Sequence, residues 1–126
     1  MTERLPADVL AVLRDIQEVD IETRPAPDVP PHRTTIWVVV DERDRAFIRT
    51  YLGPNSRWYR EATSAGEAAL LADGQRIEVR LEPADDEERV AACSEVLRRK
   101  YAYASGLRGM LADKVLPTTL ELLPHG

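Results

Sequence analysis

The chain has 126 residues, with 17 basic and 22 acidic side chains and a net charge of −5, a size at which one domain can bury a core without disulfide or metal staples. The negative balance disfavours a nucleic-acid partner, because phosphates demand a basic stripe. One cysteine, Cys93, excludes an intramolecular disulfide. No apolar run approaches the ~20 residues of a membrane helix and no signal-peptide pattern opens the chain, so a single domain over residues 1–126, with no membrane partner and in a reducing cytoplasm, is expected.

Leu5-Pro6-Ala7-Asp8 opens a helix predicted from Leu5 to Val19, with Val9, Leu10, Leu13 and Ile16 at helical spacing on one apolar face. That face has to dock on the rest of the domain or on a partner subunit. Asp20 to Arg24 reads as a short strand. Pro25, Pro27, Pro30 and Pro31 then make a stiff connection without ladder donors. Thr34 to Val40 (TTIWVVV) is β-branched or aromatic throughout and reads as a central strand covered on both faces. After the polar turn Asp41 to Asp44, the stretch Arg45 to Leu52 alternates, with Ala46, Ile48, Thr50 and Leu52 on one side and Phe47, Arg49 and Tyr51 on the other. Arg49 between two aromatics has two readings: a ligand wall that meets an anion, or an outward arginine covering aromatic surface with its stem.

The next stretch holds the most local information. Gly53-Pro54-Asn55-Ser56 must turn, Trp58 and Tyr59 open a short helix, and Ser64-Ala65-Gly66 closes it with glycine just past the C-terminus. Asp73-Gly74 then stands between Glu67–Ala72 and the alternating run Ile77, Val79, Leu81. Asp-Gly in that setting signals a type I′ hairpin.

This order of strand, glycine turn, Trp-Tyr helix, strand, Asp-Gly turn and alternating strand resembles the split β-barrel proteins that bind flavin or deazaflavin. That superfamily is the pyridoxamine phosphate oxidase-like one, and the likeness is greatest to deazaflavin-dependent nitroreductases and a related bacterial family known only as a domain of unknown function. Gly53, Trp58-Tyr59, Ala65, Glu67 and Asp73-Gly74 carry the resemblance, which runs from about Thr34 to Pro124. Glu61 stands where the nitroreductases carry asparagine, Gly66 where they carry proline, and Pro25 to Arg33 replaces their glycine-arginine loop.

Beyond the hairpin, Asp85 and Glu88 have capping-box spacing ahead of a helix running to Tyr101, with Val90, Cys93, Leu97 and Tyr101 in one stripe. Cys93 in that stripe reads as a buried structural thiol rather than a nucleophile. Arg98-Arg99-Lys100 suits a helix end, with an anion-binding tail site as the alternative. Ser105 is read as the cap of a second helix through Met110, and Thr118 to Leu123 as a final strand. His32 and His125 are far apart, no spacing suggests a metal, and no nucleophile elbow, P-loop or dinucleotide fingerprint occurs.

The expected fold class is therefore mainly β (α+β), an antiparallel split β-barrel of about six strands with flanking helices. The resemblance implies FMN or a deazaflavin coenzyme as small-molecule cofactor, a possible oxidoreductase activity through it, and a homodimer, which the apolar Trp37, Phe47, Tyr51 and Leu52 also favour. Mapped by position, the phosphate candidates are Arg33, Thr34 and Thr35, then Arg49 and Thr50, while Trp58 and Tyr59 wall the ring or simply pack in the core. A split barrel without a cofactor, acting as an interaction module, is the rival expectation.

Overall fold

The structure, a computed structural model, describes residues 3–125. Its elements are α1 (Ala7–Asp15), β1 (Val19–Thr23), β2 (His32–Ile36), β3 (Val39–Val40), β4 (Ala46–Ile48), α2 (Arg57–Ala65), β5 (Glu67–Ala72), β6 (Gln75–Pro83), α3 (Glu87–Lys100), α4 (Leu107–Met110), a 3-10 helix (Asp113–Thr118) and β7 (Leu120–Pro124). The strands form one sheet in the order β2-β1-β5-β6-β7-β4-β3, antiparallel at every pairing. Its two edge strands, β2 and β3, are separated in the chain by Trp37 and Val38 alone. The three Cα–Cα steps from Ile36 to Val39 span at most about 11 Å, so the sheet has to curl until its edges come close. The result is a barrel with a split, in seven strands where about six were expected.

The same geometry corrects the reading of Thr34–Val40 as a central strand. The run is two edge strands in succession, broken at Trp37 and Val38. It is apolar on both faces because it changes environment partway. Ile36, Val38 and Val40 join the barrel interior, while Val39 packs with Phe47, Cys93, Val96, Leu97 and Tyr101 beneath α3. Arg33 and Thr35, the outward residues of β2, remain exposed.

Local signals are met where they were strongest. Asp73 and Gly74 both have positive φ, 51° and 75°, as a type I′ turn requires, and the hairpin closes at Ala72↔Gln75. Gly66 ends α2 in the left-handed region at φ 76°. Helix limits shift by small amounts for physical reasons. The first helix stops at Asp15 rather than Val19, since Ile16 is extended and Val19 already pairs with Ile36. The cap of α3 is Asp86, not Asp85: its carboxylate accepts the Arg89 backbone N–H at 3.0 Å. Ser105 caps nothing, because α4 starts from Gly106.

Leu10 and Leu13 of α1 join the barrel interior with Trp58 and Ala62 of α2. On the outer side, α3 is tied down at its last turn. Lys100 Nζ donates to the carbonyls of Leu13 (2.8 Å) and Val38 (2.7 Å), and the Tyr101 hydroxyl donates to the Gln17 carbonyl (2.7 Å). Of the basic run ending this helix, Arg98 pairs with Glu95 and Arg99 with Glu42, while Lys100 turns inward. Cys93 is buried, and burial raises its thiol to about 12. It is a core side chain.

Candidate functional site

The last residues of β2 and the segment after β4 face each other without strand pairing, since β2 bonds only to β1 and β4 only to β3 and β7. Between them lies a cavity of about 270 Å³. Thr34, Thr35, Ile36 and Trp37 form one wall, Arg49, Thr50, Tyr51 and Leu52 the other, with Trp58, Met110 and Glu18 completing it. Each wall has a local cause. Trp37 is held flat against Tyr101, with ring centroids 3.9 Å apart and planes 3° apart. Trp58 is 5% exposed and meets Tyr59 edge-on at 6.1 Å. Tyr51 lies against Gly109, where an added Cβ would fall 2.4 Å from the Tyr51 ring. At the mouth, Tyr51 is 54% and Leu52 73% exposed.

Five of the seven residues nominated from sequence, Thr34, Thr35, Arg49, Thr50 and Trp58, line this one cavity. Arg33 and Tyr59 do not. Arg33 is engaged elsewhere: it binds Glu22 at 3.2 Å, and Glu22 also holds Arg76 at 2.7 Å. Tyr59 packs against the barrel core. The hydroxyl of Thr35 donates to Asp20 at 2.8 Å, and that of Thr50 shares a hydrogen bond with Ser56 at 2.8 Å. Sequence reasoning missed Trp37 as a lining residue because it sits in an uninterrupted apolar run. Met110, the last residue of α4, borders the cavity while staying buried, at 4% exposed.

Arg49 is not the outward arginine of the second reading, and it is one of the residues around the cavity. It is 1% exposed, so it does not face outward. Its Nε donates to Thr119 Oγ1 (2.7 Å), one Nη to the Met110 carbonyl (3.0 Å) and the other to the Val90 carbonyl (2.8 Å). Burial lowers its pKa from the ordinary value. It and Arg33 are each bound by other protein groups, so the two do not converge on one anion.

A clasp ties the Trp58 helix to the Thr34 strand. Glu61 of α2 accepts from Thr23 Oγ1 at 2.8 Å, and both its oxygens lie 3.1 Å from His32 Nδ1. Burial pushes the Glu61 carboxyl up, but the His32 and Thr23 hydrogen bonds outweigh it and hold the group below its ordinary 4.5. Its contribution to stability is therefore present above pH 4.5 and is lost as pH falls through the lowered folded value. Glu61→Gln is expected to lower stability by about 1 kcal/mol at neutral pH in urea unfolding, with the gap to the parent closing in acid. A gap that persists unchanged as the pH is taken into acid would contradict the clasp.

Among the described residues no His, Cys, Asp and Glu cluster suits a metal ion, and no helix is long and apolar enough to cross a membrane. Solved structures share the fold. A putative pyridoxamine 5′-phosphate oxidase from Listeria innocua superposes with a TM-score of 0.66 at 13% identity, covering 94% of this chain and 92% of its own. An FAD-binding protein from Mesorhizobium loti gives 0.61 at 15% identity, over 100% and 95%. An F420 reductase gives 0.54 at 15% identity, over 97% of each chain. At such identities the likeness is one of fold, a split barrel closed from one curled antiparallel sheet. No curated protein matches the sequence. Residues 9–122 match the family described as "Uncharacterized protein conserved in bacteria (DUF2255)", and the chain belongs to that family.

Proposed function

We propose that this protein binds the ring of a flavin or deazaflavin in the split of its barrel. The carrying observation is the cavity between β2 and the Arg49–Leu52 segment, which has Trp37, Tyr51 and Trp58 as aromatic walls. Structural relatives that include an FAD-binding protein and an F420 reductase support the reading. Ligand cavities usually span about 300 to 1,000 Å³. At about 270 Å³ this one suits a flat ring, and a ribityl phosphate tail has to extend outside it. Thr34 and Thr35 at the wall, and Arg33 on the outer face, are the groups proposed for that tail. Arg33 is 61% exposed, and its buried partner Glu22 is also held by Arg76, so an arriving phosphate can draw Arg33 away without leaving Glu22 unpaired.

Such a ring supplies hydride or electron transfer when bound. The chain's own residues orient it by stacking and exclude water from one face, which makes a small oxidoreductase the proposed activity. A homodimer follows from the same site: Tyr51 and Leu52 leave apolar surface at the mouth, which a second copy would cover. Sedimentation at micromolar concentration checks this, and a monomer alone would contradict it.

One observation favours the rival, a split barrel that binds a partner without a cofactor. Arg49 is engaged by three protein acceptors and Arg33 by Glu22, so no preformed phosphate clamp lines the cavity. Absorbance separates the two readings. The pure protein, alone or titrated with FMN, FAD and a deazaflavin coenzyme, is expected to give a shifted visible band with one of them. Unshifted spectra for all three would leave the interaction module.

A further inference from the structure

Of the 17 lysines and arginines in the chain, only Lys100 and Lys114 are lysines. Lys114 is exposed, whereas Lys100, the last residue of α3, is half-buried. Its neighbours Arg98 and Arg99 pair with Glu95 and Glu42. Among the described residues no carboxylate lies within ion-pair distance of Lys100. Its Nζ donates instead to two neutral oxygens, the Leu13 carbonyl at 2.8 Å and the Val38 carbonyl at 2.7 Å.

Two acceptors match an amine better than an ammonium. A protonated lysine has three N–H donors, whereas the neutral amine has two, keeps both bonds and carries a lone pair in the third position. An arginine could not make that exchange, because a guanidinium does not lose its proton in proteins. Burial lowers the pKa of Lys100 to about 8, and Asp15 raises it without outweighing burial. Lys100 also lines an open cavity of about 370 Å³ together with Val40 and Val96. The other charged groups around that cavity are Arg14 of α1, Asp41 and Glu42 after β3, and Arg99 of α3. The Tyr101 ring lies 5.5 Å from Nζ.

We propose that Lys100 is a site of covalent acylation, its amine attacking the carbonyl carbon of an uncharged activated ester or thioester that enters this cavity. The nitrogen lone pair forms the C–N bond as the C–O or C–S bond to the leaving group breaks. The proton lost from nitrogen goes to the departing alkoxide or thiolate, and no other reactant is needed. An uncharged donor follows from the lining, where Arg14 and Arg99 stand against Asp41 and Glu42 and favour neither sign. An amide nitrogen carries one N–H, so acylation releases one of the two carbonyls that Lys100 holds. Leu13 belongs to α1 and Val38 follows Trp37, so the modification slackens the tie of α3 to one or other of these segments.

The two lysines allow the comparison inside one native protein, so no outcome depends on whether a variant folds. p-Nitrophenyl acetate is an uncharged activated ester, and peptide mass mapping over time gives the rate at each lysine separately. At about pH 8 roughly half of an amine with a pKa of about 8 is neutral, against under about 1% for an ordinary lysine. Lys100 is therefore expected to be acetylated at least about tenfold faster than the exposed Lys114, in spite of its partial burial. Its rate is expected to level off above about pH 9, where a lysine in water would still be gaining neutral amine. Equal or faster acetylation of Lys114, a Lys100 rate that goes on climbing to about pH 10, or no acetylation of Lys100 would each overturn the proposal.

Discussion

Arg49→Ala is expected to destabilise the protein by about 3 to 5 kcal/mol, the largest effect of any single charged residue here. Removing the side chain deletes three hydrogen bonds from a charged donor, to the Val90 and Met110 carbonyls and the Thr119 hydroxyl, each worth about 1.5–3 kcal/mol and not fully additive. These three acceptors sit at the start of α3, at the end of α4 and just before β7, so Arg49 holds three separately folded elements against β4. Arg49→Lys keeps the charge but cannot reproduce the fork, and is expected to recover only part of the loss. Urea unfolding followed by circular dichroism measures both. A midpoint for Arg49→Ala close to the parent's would mean that water readily replaces the guanidinium, and that Arg49 is less enclosed than its 1% exposure states.

Trp58→Ala is expected to cost about 3 to 5 kcal/mol, the usual range for truncating a large aromatic in a core. Trp58 is shared between the barrel interior and the cavity, so two outcomes should separate. Trp58→Phe retains most of the packing and is expected to keep the fold while weakening any flat ligand. If Trp58→Phe leaves ligand affinity unchanged, Trp58 is a core residue that merely borders the cavity.

What was legible in the sequence was whatever a short stretch decides alone. Asp73-Gly74 has one comfortable way to join two alternating runs, and Gly66 one common role after a helix, so both were placed correctly without tertiary knowledge. The antiparallel split barrel followed from these and from the resemblance. Thr34–Val40 was misread because two-sided apolarity does not tell a strand in mid-sheet from a chain crossing between two edges. The burial of Arg49 was not legible for a different reason. Its alternation with Phe47 was visible, but its acceptors lie 41, 61 and 70 residues away, and nothing local announces them. Glu61 makes the same point: a departure from the resembling enzymes at sequence level, it is in the fold the anchor of His32 and Thr23.

The central claim is that the split of the barrel is the ligand site. Both tryptophans of the chain, Trp37 and Trp58, line it, so their fluorescence reports on it without any label. FMN and a deazaflavin coenzyme titrated into the native protein and into Thr34→Phe make the comparison. The account predicts saturable quenching for one of them in the native protein, and an affinity at least about tenfold weaker once the cavity is filled. Absence of saturable quenching in the native protein, or the same affinity in both proteins, would contradict it.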